Sequence, residues 1–134
     1  MEIDFLGSNA SLHHIGMAFK KKPKELDNIR YFDDPIQKVT VGFISLNGCQ
    51  IEVVIPLSED APILNAMKKG TKLLHLCYEV DNIVVSISNA QKNNCIIVSN
   101  PVEAVAFENR KIAWIFHKNY GLIEILERSY KNNS

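Results

Sequence analysis

The 134-residue chain carries no excess charge of either sign: Lys plus Arg and Asp plus Glu number 15 each. That balance gives no electrostatic basis for a nucleic-acid or membrane-surface partner. No apolar run approaches the roughly 18 residues that a bilayer span needs. There is also no leading basic-plus-apolar segment of the secretory kind. Cysteine is scarce, with only Cys49, Cys77 and Cys95. Their number is odd, and their spacings fit neither a zinc ribbon nor a CxxC motif. Cys49 and Cys77 stand in apolar strand contexts, where Cys acts as a small core residue. A reduced thiol state and a cytoplasmic location are the expectation.

Apolar residues make up 46% of the chain and charged residues 22%, ordinary for a globular soluble domain. The length suits a single domain over 1–134, or two half-domains sharing one core. The one basic cluster, Lys20-Lys21-Lys22-Pro23-Lys24, reads as a solvated loop after a strand.

What the chain does have is a repeat. One copy opens with Leu12-His13-His14-Ile15-Gly16-Met17-Ala18-Phe19 and closes with Gly48-Cys49-Gln50-Ile51-Glu52-Val53-Val54. The other opens with Leu73-Leu74-His75-Leu76-Cys77-Tyr78-Glu79-Val80 and closes with Gly121-Leu122-Ile123-Glu124-Ile125-Leu126. Each opening is an apolar strand with a His near its start. Each closing is an apolar strand holding one Glu.

Between these ends the pattern predicts the remaining elements. In the first copy a short helix falls within Lys22 to Tyr31, with Pro23 in its first turn. Asp33-Asp34-Pro35 breaks the chain. Lys38 to Leu46 alternates as a strand, and Asn47-Gly48 is a two-residue hairpin signal into Cys49 to Ile55. One or two helical turns over Ile63 to Lys69 join the copies. In the second copy Asp81 caps a helix with Ile83, Ile87 and Ala90 on its buried face. Strands follow at Cys95 to Ser99, Arg110 to His117 and Gly121 to Glu127. A loop runs from Pro101 toward Phe107. A short strand at Ile3 to Leu6 and a frayed tail over Arg128 to Ser134 complete the reading. The fold class is α+β: two βαβββ modules, about 12–56 and 73–127, forming a curved, mostly antiparallel sheet with a concave metal-binding cleft.

A lone His or Glu on an apolar strand is ordinarily a satisfied structural residue. Here His14 and His75 occupy matching places in the openings, and Glu52 and Glu124 matching places in the closings. Glu124 shares a sheet face with Leu122 and Leu126, where a carboxylate is costly unless paired or metal-bound. Two His and two Glu from equivalent halves make a metal-binding set. His13 faces the other side of its strand, and His117 stands at a strand end, toward solvent.

These stretches, with Ile55-Pro56-Leu57-Ser58-Glu59-Asp60-Ala61-Pro62-Ile63, resemble the vicinal oxygen chelate superfamily from about Leu12 to Glu127. That superfamily includes glyoxalase I, extradiol dioxygenases and bleomycin-resistance proteins, and the methylmalonyl-CoA epimerase branch is nearest. The resemblance implies His14, Glu52, His75 and Glu124 as ligands of a divalent ion such as Co, Mn, Ni or Zn. It implies an epimerase or isomerase that removes a proton next to a carbonyl. The substrate would be a small molecule, an acyl-CoA among the candidates. Glu124 would act as base, and a second acid/base would come from Asp33 or Asp34. A glyoxalase-type lyase and a non-enzymatic binding module are the alternatives. A homodimer is expected on the same ground. The chain also departs from the family. Glu52 follows His14 by 38 residues, whereas Glu124 follows His75 by 49. The shortfall lies around Lys20 to Asp34, and the turn from His117 to Gly121 is also short.

Overall fold

The computed structural model describes residues 1–129. The last five residues of the expected frayed tail lie outside the described residues. Contacts divide the chain into one unit of His14–His75 and a second of Met1–His13 with the chain from Leu76 onward. Among the described residues the eight strands are β1 (Ser11–Ala18), β2 (Tyr31–Asp34), β3 (Val39–Leu46), β4 (Cys49–Pro56), β5 (Leu73–Val80), β6 (Ile96–Ala104), β7 (Arg110–His117) and β8 (Gly121–Glu127). The helices are α1 (Ile63–Lys68) and α2 (Ile83–Lys92).

In the first unit the strands lie in the order β2-β3-β4-β1. β2–β3 and β3–β4 are antiparallel, and β1 is parallel to β4. Asn47 and Gly48 both take positive φ, 49° and 86°, which a two-residue hairpin of the twist-matched kind requires. That turn fixes the β3–β4 register, with Phe43 opposite Glu52. Asp33-Asp34-Pro35 breaks the chain as expected, but the break is a hairpin turn that ends a strand. Tyr31–Asp34 is a strand, and the Asp34 carboxylate accepts from the backbone N–H groups of Ile36 and Gln37 at 2.9 and 3.1 Å. This Asx turn folds β2 back onto β3. The expected short helix shrinks to a 3₁₀ turn at Lys24–Leu26 with no buried residue. Without an apolar stripe, nothing extends it.

The second unit repeats the order as β5-β8-β7-β6, with β5 parallel to β8 and the other pairs antiparallel. Both modules therefore read βαβββ and are mostly antiparallel, the first with its helix reduced to a turn. Ile83, Ile87 and Ala90 of α2 pack on Ala113, Ile115, Ile123 and Ile125. Each fully buried Ile in this layer contributes about 1.5–3 kcal/mol. Asn82, not Asp81, caps α2 by accepting from Val85 N at 3.1 Å. Asp81 instead receives Asn9 at 3.0 Å and Arg128 at 2.9 Å. Residues Ile3 to Leu6 form no strand; Ser86 Oγ donates to Leu6 O at 2.8 Å and holds that segment against α2. β6 runs on through Pro101, past the expected loop. An edge strand tolerates a missing N–H, and register shifts on both sides of Ser99 absorb the irregularity. No helix among the described residues is long and apolar enough to cross a membrane.

Candidate metal centre

The site in the first unit follows from strand alternation. On β1, His14, Gly16 and Ala18 share one face. The parallel register sets Gly16 beside Glu52 and Ala18 beside Val54, so that face is continuous across β4. His14 is 0% exposed, Glu52 6% and His75 9%, burials that demand a polar partner for each. His14 Nε2 and His75 Nε2 stand 3.3 Å apart. Glu52 Oε1 lies 3.6 Å from the first and 3.3 Å from the second. Three donor atoms thus converge on one point.

The surroundings hold the rings in place. The two imidazoles meet edge to face, with centroids 5.4 Å apart and planes at 81°. Phe43, opposite Glu52 in register, sets its ring against His14 at 5.5 Å. A Cβ placed on Gly16 would lie 2.1 Å from His75 Cε1, far inside van der Waals contact. Gly16 is therefore the side chain that must be missing for His75 to sit here. Neither Gly16 nor Phe43 was singled out from sequence as part of the site. The signal for Gly16 was present, a lone glycine inside a strand two residues after the His.

Burial alone pushes the Glu52 carboxyl up. Hydrogen bonds from His14 and His75, and their charges, outweigh it and bring the group down to about 2. Glu52 is thus a carboxylate at neutral pH, ready to bind a cation. The donor set tests well against the expected ion. Two imidazole nitrogens and a carboxylate oxygen suit a divalent metal of borderline hardness. Two Nε2 atoms facing each other can share only one hydrogen bond between them, whereas one cation accepts both lone pairs.

In the second unit Glu124 lies on β8, with Cys77 and Trp114 as its cross-strand partners. It is 2% exposed. The two aspartates are not brought to the cluster. Asp33 is exposed, on the face opposite Glu52, and accepts from Thr40 Oγ1 at 2.7 Å. Asp34 shares the Glu52 face through Val39 and Pro56, two strands away, and its Oδ1 serves the Asx turn. His13 points to the face opposite His14 and meets Phe107 edge-on at 5.8 Å. His117, expected toward solvent, is buried at 8%. Phe5 and Tyr120 stack on it at 5.7 and 4.7 Å, and its Nδ1 accepts from Asn119 N at 3.0 Å. The lead-in segment that supplies Phe5 carries no pattern that pairs it with a distant strand end.

Comparison with known proteins gives the same direction. Residues 13–114 match the family described as the Glyoxalase/Bleomycin resistance protein/Dioxygenase superfamily. The chain is 26% identical over 97 residues to the ethylmalonyl-CoA/methylmalonyl-CoA epimerase of Cereibacter sphaeroides, covering 69% of this chain and 72% of that protein. It is 27% identical over 95 residues to the mitochondrial methylmalonyl-CoA epimerase of Homo sapiens, covering 68% of this chain and 53% of that protein. In fold it is similar to the crystal structure of methylmalonyl-CoA epimerase from Mycobacterium tuberculosis. That match has a TM-score of 0.72 at 20% identity, over 90% of this chain and 89% of the other.

Proposed function

This chain belongs to the Glyoxalase/Bleomycin resistance protein/Dioxygenase superfamily, and from that premise we propose that it is a metal-dependent epimerase or isomerase acting next to a carbonyl, on an acyl-CoA or a similar small carbonyl compound. The observation that carries the reading is the buried convergence of His14, Glu52 and His75. The names of the epimerase relatives support the substrate class.

His14, Glu52, His75 and Glu124 would hold the ion, with Co, Mn, Ni or Zn suited to two imidazoles and two carboxylates. When bound, such an ion supplies Lewis-acid stabilisation to a carbonyl oxygen as negative charge develops there. The chain's own groups handle the proton. Glu124 takes it from the carbon next to the carbonyl. Its buried position keeps bulk water from competing. Epimerisation needs a second group to return the proton from the other side. Of the two aspartates considered, Asp34 shares the Glu52 face and Asp33 does not. Asp34 is therefore the better placed, and it would have to leave its turn to serve.

The test is solvent exchange. Incubation with methylmalonyl-CoA in deuterium oxide should wash deuterium into the α-carbon. A chain that binds the thioester and exchanges nothing is a binding module, the reading favoured by the reduction of the first helix to a single 3₁₀ turn. A chain inert toward thioesters that converts thiol–aldehyde adducts is a glyoxalase-type lyase.

A further inference from the structure

The lysine cluster read from sequence as a solvated loop is part of a larger feature. Lys20, Lys21, Lys22 and Lys24 follow β1 and are exposed. The fold brings Lys72 to the same end of the strand. Ala18 N donates to Lys72 O at 2.8 Å, and Lys72 Nζ donates to Ala18 O at 2.5 Å. The Lys72 ammonium also lies 3.7 Å from the centre of the Phe19 ring. Lys68 and Lys69, both exposed, close α1 immediately before it. Their turn is tied by Gly70 N to Met67 O at 3.0 Å and Thr71 N to Ala66 O at 3.0 Å. Seven of the chain's 15 Lys and Arg therefore lie on the two segments that the Ala18–Lys72 hydrogen bonds join. No Asp or Glu occurs from Ala10 to Lys24 or from Ala61 to Tyr78. The nearest acids in sequence, Glu25 and Asp27, leave a surplus of positive charge.

A chain of zero net charge gains nothing in solubility from this crowding, and like charges held together repel. The arrangement is favourable when an anion neutralises it, and a lysine ammonium is a point-charge binder of phosphate. The position relative to the metal centre matters. Ala18 lies four residues beyond His14, and Lys72 three before His75. At ~3.3 Å per extended residue the patch begins about 10–13 Å along the chain from the two histidines. That spacing suits a ligand with a reactive carbonyl at one end and phosphates at the other, joined by an extended arm.

We propose that Lys20, Lys21, Lys68, Lys69 and Lys72 bind the phosphate groups of a nucleotide-bearing thioester, so that its acyl end is directed to the His14–Glu52–His75 centre. The proposal rests on the acyl-CoA reading above, and its test is separable from it. The probe is adenosine 3′,5′-bisphosphate, which carries nucleotide phosphates and no acyl group. Calorimetric titration into the full chain should show saturable binding that weakens as salt is raised. The quadruple substitution Lys20→Glu, Lys21→Glu, Lys68→Glu, Lys69→Glu should weaken it about tenfold or more. The corresponding Lys→Arg variant, a control for folding, should retain it. No binding by the unaltered chain, or equal binding by the Glu variant, overturns the proposal. So does a patch-dependent affinity that is higher for an RNA oligonucleotide or phosphatidylserine vesicles than for the bisphosphate. Bisphosphate binding without α-proton exchange supports the patch and contradicts the reaction. Exchange on an acyl-CoA with a KM indifferent to the four substitutions supports the reaction and overturns the patch.

Discussion

The imidazole of His75 occupies the space that a side chain on Gly16 would fill. A glycine on β1 thereby determines where a histidine 59 residues later can stand. Gly16→Ala should leave the backbone conformation accessible but push the ring away. Such supporting changes typically lower metal affinity by about 10–100-fold. His14→Ala and His75→Ala remove a nitrogen donor each and should abolish tight binding altogether. Metal analysis after gel filtration checks all three. Unchanged occupancy in either His→Ala variant would place the ion elsewhere.

The two glutamates should not be equivalent. Glu52→Gln weakens the ligand set, so excess Co or Mn should partly restore turnover. Glu124→Gln removes the base as well, a loss of about 10² to 10⁴ in rate that no metal concentration repairs. Each variant is titrated with metal while isotope exchange is followed. Full rescue of Glu124→Gln would move the base to Asp34 or another group.

The first module carried most of its site on its surface pattern. The alternation in Gln50-Ile51-Glu52-Val53-Val54 and the place of His14 on an apolar strand were enough to put both on one face, because strand geometry has a period of two. The Asn47-Gly48 turn fixed the register for the same reason. What escaped the sequence were features made by contacts distant along the chain. His117 looked solvent-facing at a strand end, yet Phe5, from a segment without periodicity, stacks on it. Asp81 read as the helix cap because Asp and Asn are near-equal caps. The choice of Asn82 was settled by Asn9 and Arg128 binding Asp81. β2 was hidden because Asp33-Asp34-Pro35 reads as a breaker, and only the Asx turn made by Asp34 shows that the break is a hairpin.

Acid should act on the metal-free protein through Glu52. Its folded value, about 2, lies below the 4.5 of an ordinary glutamate, so the unfolded chain binds more protons between those limits. Stability from this group is fully present above about 4.5 and is lost as pH falls toward about 2. Denaturant unfolding followed by circular dichroism at pH 2.5 to 5 should show this slope, flattened in Glu52→Gln. An identical slope in the variant would assign the acid sensitivity to other groups.

A homodimer is expected from the family resemblance. β2 and β6 each end their set of strands, and β6 presents Ile96, Val98 and Val102 to solvent. Such edges are covered in stable folds. Light scattering at micromolar concentration should give twice the chain mass of 15.1 kDa. A single-chain mass would count against the assembly.

The most direct test of the account is proton exchange made conditional on the ion. The protein is stripped with a chelator and incubated with methylmalonyl-CoA in deuterium oxide, then reloaded with Co or Mn, with the α-proton followed by NMR throughout. The account predicts no exchange above the uncatalysed rate in the stripped protein and rapid exchange on reloading. Exchange that persists undiminished in the stripped protein, or that stays absent once the ion is bound, would contradict it.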